Sequence, residues 1–222
     1  EGAGPQAPSP FSFSLPMSTY TQLQDAIKAD LRNRSDLASV ITNEAEQRIA
    51  FFQGEPFSAQ EATDTSINTV AGTATYTLPT TIREVTGAWY LYGGNTWLPL
   101  NKVSIELINT LDNISPAVQS PPTDYAIYAG LLRLYPVPSG AWNVKLNCIQ
   151  IVAIPATGAT SNFWTTDAFA LIRHASVAII ASQYLHDPEL ASRALAMEQR
   201  EHQRLLMREI QLSATGRVAS HW

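Results

Sequence analysis

The chain has 222 residues, 45% of them hydrophobic and 15% charged, with a formal net charge of −5. That apolar content supports a folded core and excludes wholesale disorder, while the acidic balance argues against a general polyanion binder. One cysteine, Cys148, excludes an intrachain disulfide and a thiolate zinc site, and the longest apolar stretch, Leu171 to Ala181, is broken by Arg173 and His174 and falls short of a membrane span of roughly 20 residues. So few charges also predict that part of the surface is covered by other subunits. The compartment expected is a reducing cytosol, or a particle assembled in one.

Residues 1–16 stand apart, with four prolines and several Ser, Gly and Ala. They lack the basic start and apolar core of a signal peptide. Met17 follows and reads as an initiator, so 1–16 is treated as an extra or mis-started segment, or as an arm lying on a neighbour. The first helix is expected from Ser18 or Thr19, where Thr19 and Gln22 form a capping box. Tyr20, Leu23, Ile27 and Leu31 share its apolar face. Ser35 and Asp36 are expected to cap a second helix with Leu37, Val40, Ile41, Ala45, Ile49 and Phe52 facing inward. Gly54 and Pro56 end it.

From Ala62 helical periodicity disappears. Strands are expected at Thr73–Thr77, Ile82–Tyr92 and Trp97–Leu100, with a turn at Gly93-Gly94-Asn95. Asn101 is expected to cap a short helix carrying Val103, Leu107 and Leu111. Tyr125–Tyr128 and Leu131–Tyr135 flank Ala129-Gly130, a hairpin signal. Trp142, Val144, Leu146 and Cys148 alternate with Asn143, Lys145 and Asn147 as one half-buried strand. The segment reads as an antiparallel sheet or small sandwich.

Helix returns after Trp164, with Thr165 or Thr166 as the expected cap and Asp167 in the first turn. Phe169 to Leu185 is apolar almost all round, which predicts a central buried helix. Asp187-Pro188-Glu189 reads as N-cap, N1 and N2 of a last helix running to about Ser213. Its middle, Glu198 to Arg204, has no apolar residue and is expected to project from the core or face a polar partner. The fold class expected is therefore α+β: a four-helix bundle built from N- and C-terminal helical hairpins (17–61 and 155–213), with a long antiparallel β-rich insertion (62–154) between helices two and three, and a tail at 214–222.

Catalytic and cofactor signatures do not appear. There is no phosphate loop, no G-x-G-x-x-G, no H-E-x-x-H and no G-x-S-x-G. His174 reads as a packing histidine, His186 as a helix-end residue and His202 as solvated or interfacial. Cys148 sits in the inward phase of its strand, as a small hydrophobe does. Glu44 with Glu46, and Asp187 with Glu189, read as surface or capping carboxylates. No metal, cofactor or catalytic residue is assigned, and the chain is expected not to be an enzyme.

One pattern points to a partner. Arg193, Arg200, Arg204 and Arg208 are spaced by seven, four and four, which places them on one helical stripe. Glu189 supports Arg193, but Arg200, Arg204 and Arg208 repel one another at that spacing. The tail adds Arg217, His221 and Trp222, residue types that anchor interfaces. These seven are the candidate partner contacts. An alternative is a carbohydrate- or peptide-binding module that uses Trp89, Tyr92 and Trp97 as a platform.

The order of several phrases resembles the head–tail adaptor (connector) proteins of tailed bacteriophages. They are the helical start Tyr20–Leu31, the run Glu44-Ala45-Glu46-Gln47-Arg48-Ile49, and Ala74-Thr75-Tyr76-Thr77-Leu78-Pro79. Next come Pro122–Tyr128 leading into Leu132-Arg133-Leu134-Tyr135-Pro136-Val137-Pro138, and last the hairpin around Ala181–Asp187. The resemblance covers most of Met17 to Ser213 and leaves out Glu1–Pro16. It implies a virion protein of the head–tail junction, made in the host bacterial cytoplasm. It further implies a ring, usually of twelve copies, bound to the portal protein and offering a platform to tail or nozzle proteins. Genomic DNA would pass through the channel, during ejection as well, without sequence-specific binding. The resemblance carries no catalytic residue across, and no membrane partner.

Overall fold

A computed structural model describes residues 18–114, 119–155 and 161–214. The described residues divide at Glu55 and Ala153 into two compact units, one formed by the two ends of the chain and the other by Pro56–Val152.

The first unit holds helices α1 (Tyr20–Asp30), α2 (Ala38–Phe52), α4 (Phe169–Gln183) and α5 (Pro188–Ala214). Thr19 and Gln22 make the reciprocal capping box of α1, with Gln22 N–H donating to Thr19 Oγ1 at 3.3 Å and Thr19 N–H donating to Gln22 Oε1 at 2.9 Å. The expected cap of α2 does not form. Residues Ser35–Leu37 make a 3-10 turn, and Asp36 instead takes the Arg34 guanidinium at 2.6 and 2.7 Å. Thr165 and Thr166 do not cap α4 either, which starts after Ala168 with no side-chain cap. Asn162 caps a preceding 3-10 turn, Phe163–Thr165, whose Trp164 is fully buried.

Helix α4 packs against α1, α2 and α5. Leu171, Ile172, Ala175, Val177 and Ile180 are buried on it, which is why its sequence is apolar nearly all round. A bidentate pair from Arg173 to Asp30, at 2.6 and 2.7 Å, ties it to the end of α1. Four residues, Tyr184 to Asp187, turn the chain into α5, where Asp187 Oδ1 accepts from Leu190 N–H at 3.0 Å. With 27 residues α5 is about 40 Å long, against about 22 Å for the 15 residues of α4.

The second unit is built on a seven-stranded sheet in the order β1-β9-β3-β4-β6-β7-β2. Its strands are β1 (Glu61–Asp64), β2 (Thr75–Thr77), β3 (Ile82–Tyr92), β4 (Thr96–Lys102), β6 (Asp124–Tyr128), β7 (Leu131–Tyr135) and β9 (Val144–Gln150). A separate pair joins β5 (Gln119–Ser120) to β8 (Val137–Pro138). Strand β4 links two antiparallel halves. Its first part pairs with β3, and its last residues, Asn101 and Lys102, pair in parallel with Asp124 and Tyr125 of β6. The core holds Val85, Ala88, Tyr90, Leu100, Tyr125, Leu132, Leu134, Val144 and Leu146. Helix α3 (Ile105–Ile114) is preceded by Ser104, whose hydroxyl accepts from Leu107 N–H at 3.2 Å, while Asn101 remains in β4.

These features overturn the expected four-helix bundle with a subordinate insertion. Among the described residues the chain is a mixed α/β protein with five α-helices and a seven-stranded sheet. The middle segment pairs its strands around a core of its own and carries a helix of its own. Its sheet is not purely antiparallel, because β4 and β6 run the same way. Trp89 on β3 rests on Gly87: a Cβ there would lie 2.7 Å from Trp89 Cη2 and 3.0 Å from Cζ3. Gly87→Ala is therefore expected to displace the indole and cost about 1–3 kcal/mol of stability. A fall in the urea midpoint, with a shift in tryptophan emission, checks this.

Candidate partner-binding surface

The outward face of α5 carries the residues that sequence alone singles out. Arg193, Arg200, Arg204 and Arg208 are all exposed, as are Leu195, Met197, Met207 and Ile210. Ala194 and Leu205, each next in sequence to an arginine of the stripe, are buried. A helix with this pattern packs along one stripe and leaves the other to solvent or a partner.

The four arginines are not equivalent. Arg208 donates from Nη1 to Asp167 Oδ1, and Arg204 donates from Nη2 to the Asp167 carbonyl oxygen at 3.4 Å. Arg204 also bonds Glu201 Oε2 through Nε at 2.6 Å. Asp167, just ahead of α4, thus gathers the lower end of the stripe. The repulsion expected among Arg200, Arg204 and Arg208 is largely answered inside the chain. Arg193 and Arg200 make no ion pair among the described residues, so their charges stay available. Arg217, His221 and Trp222 lie outside the described residues, as does the segment Glu1–Pro16.

The polar middle of α5 has an internal counterpart that the sequence did not reveal. His202 lies against α2, its ring centroid 5.5 Å from that of Phe52 and its Nε2 4.0 Å from Glu55 Oε1. Burial holds the Glu198 carboxyl above its usual range, with Arg48 and His202 pulling it back down. Glu198 and His202 are one helical turn apart, as are Glu44 and Arg48; that spacing was the only available signal. His174, on α4, is half-buried, and desolvation then Arg173 lower its pKa. His186 is exposed at a φ of 51° in the link to α5.

The aromatic platform is partly occupied from within. Lys145 Nζ sits 5.1 Å from the Trp89 ring centroid and 4.6 Å from that of Trp97, so one ammonium engages both indoles. Tyr92 is exposed at the end of β3. Cys148 is 2% exposed, and burial, its largest influence, raises the thiol pKa. It is expected to resist iodoacetamide at neutral pH and to react only after unfolding, which mass spectrometry of the labelled chain checks. Among the described residues no group of three His, Cys, Asp or Glu side chains is placed to hold a metal, and no helix is long and apolar enough to cross a membrane.

The outer side of α5 thus presents exposed cations together with exposed apolar side chains, the mixture found at protein interfaces. The chain belongs to the SU10 adaptor protein family, whose model matches residues 18–220, and is thus a member of a family of phage head–tail adaptors. Membership makes it a virion component that acts through other phage capsid or tail components. No curated protein matches the chain.

Proposed function

We propose that this adaptor forms a ring beneath the portal, of twelve copies by the family likeness, extending the DNA channel and giving tail or nozzle proteins a platform. The observation that carries the reading is the family match across residues 18–220. The outward face of α5 adds local support. Arg193 and Arg200 offer uncompensated charge, and Met207 and Ile210 offer apolar area, the mixture that interface anchors use. A net charge of −5 is compatible with DNA passing along the ring without sequence-specific binding, because like charges disfavour phosphate contacts. Sheet and α3 provide a second surface for tail proteins.

Co-sedimentation with portal particles from the same virus tests the reading. The chain is expected to sediment with the particles at a fixed, saturable ratio. A chain that stays in the supernatant at micromolar concentration contradicts portal docking.

A further inference from the structure

Strands β3, β4 and β9 put five side chains on the face of the sheet that turns away from its core. Along β3, Trp89 and Leu91 alternate with the buried Ala88 and Tyr90. On β4, Pro99 pairs with Trp89 and Trp97 pairs with Leu91, and Lys145 faces Trp89 from β9. Tyr92 belongs to the other face, beside Tyr90 at 6.4 Å between ring centroids. Pro99 is exposed, and Trp89, Leu91, Trp97 and Lys145 are half-buried.

The chemistry of this patch is narrow. Both indoles engage the Lys145 ammonium, which makes no ion pair among the described residues. The cross-strand positions around the rings hold proline, leucine and lysine, with no hydroxyl, amide or carboxylate to read the hydroxyls of a sugar. Such a surface selects a ligand that stacks on rings and brings a carboxylate to the ammonium. The chain carries a segment of that description. Pro5-Gln6-Ala7-Pro8 is a P-x-x-P phrase, Pro10 follows it, and Glu1 is the one charged residue of 1–16. These residues lie outside the described ones and ahead of the family match, which begins at residue 18. We propose that the Pro5–Pro10 stretch of this chain docks on the Trp89–Trp97 patch, with its prolines against the indoles and Glu1 toward Lys145.

The spacings match. A polyproline II segment turns once in three residues and rises about 3.1 Å per residue, so Pro5 and Pro8 share one edge about 9 Å apart. Trp89 and Trp97 are diagonal neighbours on adjacent strands, a relation that puts residues about 7–8 Å apart before long side chains spread. Trp89 also leans over Gly87, where a Cβ would come within 2.7 Å of Cη2, so its ring is in place before a ligand arrives. Proline-rich segments dock on aromatic surfaces at low entropic cost because their extended form is preset.

Indole N–H signals in the nuclear magnetic resonance spectrum of the full chain, assigned with Trp89→Phe and Trp97→Phe, test the docking. Trp97→Phe alone identifies one of the two signals if Trp89→Phe does not fold. Replacing Pro5, Pro8 and Pro10 together by alanine is expected to shift the signals of Trp89 and Trp97 and to leave those of Trp142 and Trp164 in place. An acetylated synthetic peptide of residues 1–16, added to that variant at up to about 1 mM, should move both signals back. Lys145→Gln in the same variant should weaken the peptide about threefold, the size of a partly exposed ion pair. Trp89 and Trp97 signals that the peptide leaves unmoved overturn the docking, whether or not maltoheptaose shifts them.

Discussion

Trp164→Ala is expected to remove about 3–5 kcal/mol of stability, the usual cost of emptying a fully buried aromatic site. Trp164 is 0% exposed and stacks edge-on against Phe163 at 4.9 Å between ring centroids. It belongs to the 3-10 turn that Asn162 caps, where Trp164 N–H donates to Asn162 Oδ1 at 3.0 Å. Removing the ring empties that packing, while the backbone hydrogen bond to Asn162 is kept. The helical transition should fall by roughly 10 °C in a chain of this size, as followed by circular dichroism at 222 nm on the order of the standard helix band. A loss below about 1 kcal/mol would mean that neighbouring side chains collapse into the space.

Arg193→Glu combined with Arg200→Glu is expected to do the opposite: little to stability, much to binding. Both side chains are exposed and make no ion pair among the described residues, so surface substitution should cost at most about 0.5 kcal/mol. If α5 docks on an acidic partner, reversing two charges on its outer face should weaken that docking at least about tenfold. The matched control is Arg204→Ala, which removes a guanidinium already bound to Glu201 and Asp167. Titration against portal particles at two salt concentrations separates the two, because the effect of the double reversal should shrink at high salt. Equal binding by the double variant and the natural chain would remove α5 from the docking surface.

Local signals in the sequence translated well into local structure. Thr19 and Gln22 form their capping box because both partners lie within one turn. Ala129 and Gly130 turn the β6–β7 hairpin with φ of 49° and 74°, the conformation that a two-residue loop requires. The apolar run of α4 is central because it packs on three helices at once. Features that depend on distant partners were not legible. The parallel pairing of Asn101–Lys102 with Asp124–Tyr125 has no periodic signature, and it is one reason the expected antiparallel insertion proved to be a mixed sheet. Short-range capping chemistry also misled where a stronger partner was near, as when Arg34 claimed Asp36.

The candidate surface shows the same division. Spacing alone placed the arginines on one face of α5, but it could not show that Asp167, 41 residues before Arg208, neutralises one end of that stripe. Nor could it show that the apolar-free stretch from Glu198 to Arg204 meets Glu55 and Phe52 across the helical unit. The arginine pattern therefore narrows to Arg193 and Arg200, and the polar stretch proves to be partly occupied from within the chain.

Electron microscopy of portal particles mixed with the purified chain tests the central claim most directly. The account predicts a closed ring of adaptor density beneath the portal, coaxial with its channel, with the face of α5 that bears Arg193 and Arg200 in contact with a neighbour. Portal particles that remain bare at saturating adaptor, with the chain still folded and monomeric, would contradict it.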